Sequence, residues 1–293
     1  SLAVDPEGNA YVAGWFEETV TFDSTNLVSQ GGRDLWVAKY ANTGALRWAR
    51  SAGGSAGDQA WGLAIDPLNN VYVTGYFSSS DTAWGSTNLV DASQQGDGFL
   101  AKYDAGGRLL WVQSIGGPGW EAGYSVATDA AGAAYVTGEF ESPALAFGGV
   151  SLNRNRTTGT DLFVLKYNSS GAVLWAETAR VPDAAAADET GAIMGERIRV
   201  DGAGDVYVSG SFETARLAFG DTLTLTNAGP HPNGDAFVAK LSAPTPPALW
   251  VGNVSASQRL GTRLVDIDYD LRSPTGNAAI QIAVSADGGV TWT

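Results

Sequence analysis

Four stretches of this chain are variations on one phrase, and that repetition restricts the fold more than any other feature. They are "LAVDPEGNAYVAGWF" from Leu2, "LAIDPLNNVYVTGYF" from Leu63, "VATDAAGAAYVTGEF" from Val126 and "IRVDGAGDVYVSGSF" from Ile198. Counted between Asp5, Asp66, Asp129 and Asp201, the period is 61, 63 and 72 residues. Each phrase reads as a strand, a turn and a second strand. Three residues after the aspartate stands Gly8, Asn69, Gly132 or Gly204, types that adopt positive φ at little cost, while the aspartate side chain is suited to bond a backbone N–H two residues on.

A second phrase follows in every unit and holds all four lysines of the chain: "DLWVAKY", "DGFLAKY", "DLFVLKY" and "DAFVAKL", with Lys39, Lys102, Lys166 and Lys240. It continues through a turn with Gly44, Gly107 or Gly171 to a strand ending near Trp48, Trp111 or Trp175, with Trp250 in the corresponding place of the fourth unit. Between the phrases lie "TFDSTNLV", "TAWGSTNLV", "LAFGGVSLN" and "LAFGDTLTL", which read as a variable loop. Two hairpins per unit make four strands.

Middle strands such as "LWVAK" are apolar on both sides, as expected of sheets packed face to face. Ten Trp, ten Tyr, ten Phe and 38 Gly against one Met favour strands and tight turns. Only residues 183–198, "DAAAADETGAIMGERI", carry a weak helical pattern. The expected fold is therefore all-β: a β-propeller of four-stranded antiparallel blades, at about 2–62, 63–125, 126–197 and 198–248. The period exceeds the ~40–45 residues of WD40 and the ~50 of kelch units, so neither is suggested. The abrupt start in "SLAVD" and the end in "DGGVTWT" lead us to expect an arc of a larger ring within a longer protein.

The pairing of DxxGNxYVxGxF with DxFVxKYxxxGxxLW, the latter partly matched in the fourth unit, resembles the SBBP (seven-bladed β-propeller) repeat of bacterial surface and secreted proteins. The resemblance covers roughly residues 1–250. It implies a propeller in an extracellular or cell-surface setting, and it brings no catalytic residues.

Recurrence at matched positions assigns Asp5, Asp66, Asp129, Asp201, the four lysines, Trp48, Trp111, Trp175 and Trp250 to blade geometry, because a catalytic site needs one copy and not four. Each lysine is expected to lay its stem over blade-packing surface and meet a carboxylate, with the Asp5-type residue as the first candidate. Past "LSAPTPPALW", where prolines replace the turn glycine, a new module is expected at 249–293. Its "RLVDIDYDL" and "AIQIAVS" alternate in period two and resemble the opening strands of an immunoglobulin-like or fibronectin-like sandwich.

Candidate chemistry is sparse. Asp266, Asp268 and Asp270 fall on one strand face, an exposed one whose charge water or Arg263 and Arg272 would screen; the alternative is calcium, which would relieve their repulsion, and a rise in the melting temperature on adding calcium tests it. "SADGGVTW" at 285–292 matches the Asp-box pattern, a structural turn. "GGSAG" around Ser55 fits the nucleophile-elbow string, but the only histidine is His231, so it reads as a turn between blades. Trp61, Trp120, Trp15 and Trp84 recur less faithfully; tryptophans of this kind more commonly pack between blades, and the alternative is stacking on sugar rings. Asp58, Glu121 and Glu196 near the innermost strands could form a glycosidase pair. A net charge of −14 argues against nucleic acid, no apolar run is long enough to span a membrane as a helix, and the absence of cysteine excludes disulfides and thiolate metal sites. The expected function is a non-catalytic interaction or adhesion scaffold with a protein or glycan partner. The alternative is a carbohydrate-binding or polysaccharide-active propeller.

Overall fold

The computed structural model describes residues 1–85, 87–91, 93–182, 190–220, 223–227 and 234–241, with the backbone of 250–258 and 265–272. The chain divides into two compact units, Ser1–Leu241 and Ser242–Thr293.

The first unit is a series of antiparallel sheets. The first repeat contributes β1 (Leu2–Val4), β2 (Ala10–Phe16), β3 (Thr19–Phe22), β4 (Thr25–Val28), β5 (Asp34–Tyr40) and β6 (Leu46–Ala52). The second contributes β7 (Asp58–Ile65), β8 (Val71–Phe77), β9 (Thr82–Trp84), β10 (Thr87–Leu89), β11 (Asp97–Tyr103) and β12 (Leu109–Ile115). In the third are β13 (Glu121–Thr128), β14 (Ala134–Phe140), β15 (Ala144–Phe147), β16 (Val150–Asn153), β17 (Asp161–Tyr167) and β18 (Val173–Arg180). The fourth has β19 (Ile193–Val200), β20 (Val206–Phe212), β21 (Arg216–Phe219), β22 (Leu223–Thr226) and β23 (Asp235–Leu241).

The first three repeats each contribute four strands in the order β1-β2-β5-β6, β7-β8-β11-β12 and β13-β14-β17-β18, the last extended to six by β21-β22 of the fourth repeat, which itself forms β19-β20-β23. The strands β1, β7, β13 and β19 lie side by side in that order, so the sheets fan out from a shared inner edge. The chain thus has propeller-type repeat character.

Three expectations are corrected. The stretch read as a variable loop is a third hairpin, β3–β4, β9–β10, β15–β16 or β21–β22, reversed at Asp23, Gly85, Gly148 or Gly220, all at positive φ. Strands of three or four residues in a sequence that differs from unit to unit give too little alternation to register. The window 183–198 is strand from Ile193 onward, because Ile193 and Ile198 are needed in the core between the third and fourth sheets. The recurring tryptophans stand early in their strands, which run on to Ala52, Ile115 and Arg180.

Core formation follows from the two-sided apolar strands. Leu35 and Val37 of one sheet close on Leu63, Val73, Phe99 and Ala101 of the next. Each burial of a Leu or Val side chain is worth about 1.5–3 kcal/mol. The recurring tryptophans bridge the same interfaces: Trp48 Nε1 donates to the Ala105 carbonyl (3.1 Å) and Trp111 Nε1 to that of Ser169 (3.1 Å), across to the next sheet's turn. A Cβ on Gly107 would lie 2.6 Å from the Trp48 ring, so that turn needs glycine for contact as well as for its φ of 79°.

The aspartates close the first hairpin of each repeat. Asp5 accepts from the Asn9 backbone N–H (2.7 Å), Asn9 Nδ2 (2.8 Å) and Tyr11 Oη (3.1 Å). Lys39 Nζ stands 3.9 Å from Asp5, Lys102 3.6 Å from Asp66 and Lys166 3.8 Å from Asp129, each over the face of the intervening tyrosine. In the fourth repeat Lys240 pairs instead with Asp205 at 2.6 Å, a carboxylate at the position where the other repeats carry the uncharged Asn9, Asn70 and Ala133.

In the second unit, β24 (Trp250–Gln258) pairs antiparallel with β25 (Val265–Arg272). Trp250 faces Arg272 there, in the unit that follows the repeats. Asp266, Asp268 and Asp270 alternate along β25. Their side chains, the 285–292 segment and His231 lie outside the described residues.

Candidate binding site where the four repeats converge

The inner strands are not regular. In β7 the pairing with β8 slips between Ala60 and Gly62, leaving Trp61 as a bulge; Tyr124 is the bulge residue of β13, and Glu196 that of β19. A bulge bends the strand and re-aims one side chain. Its cause lies on the neighbouring strand. A Cβ on Gly75 would be 1.9 Å from the Gln59 carbonyl oxygen, and on Gly138 and Gly210 1.8 Å from those of Ala122 and Met194. The glycine of the recurring YVxGxF phrase therefore lets the inner strand press in and throw its bulge residue outward.

Those three residues share one cavity of about 650 Å³ with Trp15, Trp36, Met194 and Arg197, so all four repeats contribute to its wall. The residue following each glycine of YVxGxF stands beside the bulge. Trp61 stacks on Tyr76 at 5.3 Å between ring centroids and lies 5.3 Å from Tyr124. Tyr124 donates its hydroxyl to Glu139, whose other oxygen accepts from Thr160 Oγ1. Ser211 donates to Glu196 Oε1 at 3.1 Å. On the first repeat, Trp15 is 44% exposed with the Arg33 guanidinium 4.3 Å over its ring, and Arg33 is in turn held by Glu17 at 2.9 Å.

The titratable groups at this mouth are perturbed and engaged with one another. Burial, then the Glu139 and Glu196 carboxylates, push the Tyr124 phenol up, away from phenolate. Glu139 is itself raised, chiefly by burial, and spends both oxygens on Tyr124 and Thr160. What remains open is a half-buried aromatic shelf edged by Glu196 and Arg197.

The structure separates the four candidate tryptophans. Trp61 and Trp15 line the cavity. Trp120 lies behind them, its ring meeting Tyr76 across Gly96, where a Cβ would be 3.2 Å from both. Trp84 is 2% exposed and edge-on to Phe99 at 4.9 Å, within the core between the first two sheets, so no ligand reaches it. Tyr76, Tyr124, Glu139 and Arg197 were missed. A usable signal exists: Trp61, Tyr124 and Glu196 stand at one constant offset, two residues before Leu63, Val126 and Ile198.

The proposed acid pair does not form. Asp58 and Glu121 are buried between sheets: Asp58 accepts from Gly54 N–H, Ser79 Oγ and Thr82 Oγ1, and Glu121 from the Gly117 and Ser142 N–H groups. Burial raises both, and they hold the connections between repeats. Ser55 is held in a similar loop, its N–H and hydroxyl both on Asp81 at 2.9 Å. Among the described residues, no group of three or more His, Cys, Asp or Glu is placed to hold a metal ion, and no helix is long and apolar enough to cross a membrane.

No family model matches the chain. An uncharacterized WD repeat-containing protein of Acanthamoeba polyphaga mimivirus is 26% identical over 162 residues, covering 50% of this chain and 12% of that protein. This chain is therefore a repeat-containing β protein that matches only a small part of its relative's length. The WD-type likeness and the long period are compatible once the third hairpin is counted: residues 17–33 and 78–96 are inserted between the second and third strands of the first two repeats, and without them both fall near the ~40–45 residues of WD40 units, whereas the third repeat stays longer. A crystal structure of a protein of unknown function from Bacteroides caccae aligns with a TM-score of 0.34 and 10% identity, over 88% of this chain and 66% of that one.

Proposed function

We propose that this chain is a non-catalytic recognition scaffold: a propeller arc of SBBP-type blades, displayed outside the cell or on its surface, that holds its ligand at the mouth of the shared cavity. One observation carries the reading. The positions that recur build the sheets, whereas the bulge position and its neighbour change identity in every repeat, Trp61 with Tyr76, Tyr124 with Glu139 and Glu196 with Ser211, and the bulge residues of the three collect around one opening. A site of unlike side chains on a repeated frame is suited to one asymmetric ligand. Half-buried indole and phenol faces beside a carboxylate and a guanidinium fit a glycan, whose apolar ring faces and hydroxyls need both kinds of contact. The second unit belongs in this reading to an immunoglobulin-like or fibronectin-like module, with calcium on the Asp266, Asp268 and Asp270 face.

The test is a glycan array followed by calorimetry on the whole chain. Binding that falls at least about tenfold in Trp61→Ala, with an unchanged melting temperature, supports the site. Binding indifferent to Trp61→Ala and Glu196→Gln rejects it. Turnover of a polysaccharide that is lost in Glu196→Gln would replace recognition by the polysaccharide-active alternative.

A further inference from the structure

A buried carboxylate stands behind the aromatic shelf. Glu139 is 6% exposed, and each of its oxygens accepts one hydroxyl, Tyr124 Oη on Oε1 and Thr160 Oγ1 on Oε2. Its partners across the neighbouring strands are the uncharged Ala122 of β13 and Leu162 of β17. Three titratable groups act on it: Tyr124 of β13, Glu141 just past its own strand and Glu213 just past β20. Burial, then the carboxylates of Glu141 and Glu213, hold it above the ordinary glutamate range. The Arg156 guanidinium, which donates to the Thr160 carbonyl, is committed to Asp161.

Its two protonation states need different surroundings. Ionised, Glu139 only accepts, and both hydroxyls are satisfied as they stand. Protonated, it carries a donor of its own, so one of the two contacts must reverse. Thr160 is buried, whereas Tyr124 is half-buried and lines the cavity. Reversal therefore falls on Tyr124, whose hydrogen can turn into the cavity instead of being stranded in the core. The phenol itself is pushed up by burial and by Glu139, so it stays protonated in both states. With Glu139 ionised, Tyr124 presents lone pairs to the cavity. With Glu139 neutral, it presents a hydrogen.

We propose that Glu139 decides whether Tyr124 meets a ligand as hydrogen-bond acceptor or donor, and thereby adds glycans with anionic oxygens, carboxylate or sulfate, to what the mouth binds at lower pH. Neutral glycans are served in both states, because a sugar hydroxyl donates as readily as it accepts. An anionic oxygen only accepts, so it needs the phenol hydrogen, and it also meets one carboxylate fewer once Glu139 is neutral. The ligand class rests on the recognition reading above; the coupling of Glu139 to Tyr124 does not. Glu139 is a positioning residue, acting through a ring that packs 5.3 Å from Trp61.

The coupling is read without ligand, by NMR on the whole chain carrying 13C at glutamate Cδ and tyrosine Cζ, titrated from acid to mildly alkaline pH. The Glu139 signal is expected to titrate above the ordinary glutamate range, and the Tyr124 signal to move with the same midpoint. Glu139→Gln, close in shape, leaves the Tyr124 signal flat. Tyr124→Phe removes a bond to the charged form and moves the Glu139 midpoint further up; if Glu139→Gln fails to fold, this variant decides alone. A Tyr124 signal flat in the wild type, one that moves alike in Glu139→Gln, or a Glu139 midpoint unchanged in Tyr124→Phe overturns the coupling. The glycan array is then run at the two ends of the titration. Carboxylated or sulfated glycans should gain at least about tenfold over neutral ones at the acid end in the wild type and not in Glu139→Gln. An equal gain in both, or none in the wild type, overturns the assigned ligand class. An array empty at both ends rejects the recognition reading of the mouth, while the titration still decides the coupling.

Discussion

Asp97 is the least compensated carboxylate in the sheet core, and replacing it by asparagine is expected to stabilise the protein in a pH-dependent way. Its counterparts are provided for: Asp34 accepts from the Gln30 N–H at 3.0 Å and Asp161 from Arg156 Nε at 2.6 Å. Asp97 is buried with one bond to Oδ2, from Ser114 Oγ at 3.1 Å, and none to Oδ1. Burial first, then the carboxylates of Asp91 and Glu121, push its pKa up to about 7. In the unfolded chain it titrates near 3.9. Between those values the folded state binds the extra proton, so stability is greatest below about pH 4 and falls as pH rises to about 7. The loss amounts to about 2–4 kcal/mol once partial water access is allowed for. D97N removes the charge without changing shape. Urea unfolding at pH 4 and pH 8 should show the variant near wild type at the lower pH and about 2–4 kcal/mol more stable at the higher, a rise of roughly 5–10 °C in Tm. Stability curves that run parallel from pH 4 to 8 would refute the reasoning, since only a titrating Asp97 makes them diverge.

Lys102→Met should cost about 3 kcal/mol, because it strands Asp66 in a pair whose side chains are 6% and 2% exposed; Lys240→Met, at a half-exposed pair, should shift the thermal midpoint little by comparison. Equal effects at the two sites would contradict the burial argument. Gly107→Ala should destabilise more than Gly148→Ala. Both carry positive φ, worth about 1–2 kcal/mol against alanine, but only Gly107 would drive a Cβ into an indole ring. Matched denaturation curves for the two variants decide it.

How much of this was written in the sequence depends on whether a residue repeats. The hairpin turns of Asp5, Asp66, Asp129 and Asp201 were legible because one physical task recurs at a fixed spacing. The same logic made the lysines visible as a set. The third hairpin was hidden, since its strands are only three or four residues long and its sequence drifts. The mouth was hidden for the opposite reason. Trp61, Tyr124 and Glu196 share a position but no side-chain type, and the matching phrase begins two residues after them. The glycine that makes their bulge possible was in plain view, but its function depends on the approach of a neighbouring carbonyl, a distance no single strand reveals.

The third hairpin also ties a repeat to the one before it. Strand β18 pairs with β21 of the following repeat through Ala179 and Phe219, and Gly53, just beyond β6, bridges to Ala83 of β9. The outer edge of a sheet is thus finished by residues synthesised after it. On the ribosome the first sheet keeps a raw edge until Ala83 has emerged, and a protein cut at a repeat boundary ends in unpaired backbone open to aggregation. The heritable repeat and the unit that can safely fold alone are therefore offset from each other, and deletions or duplications would be best tolerated when they carry the downstream hairpin along.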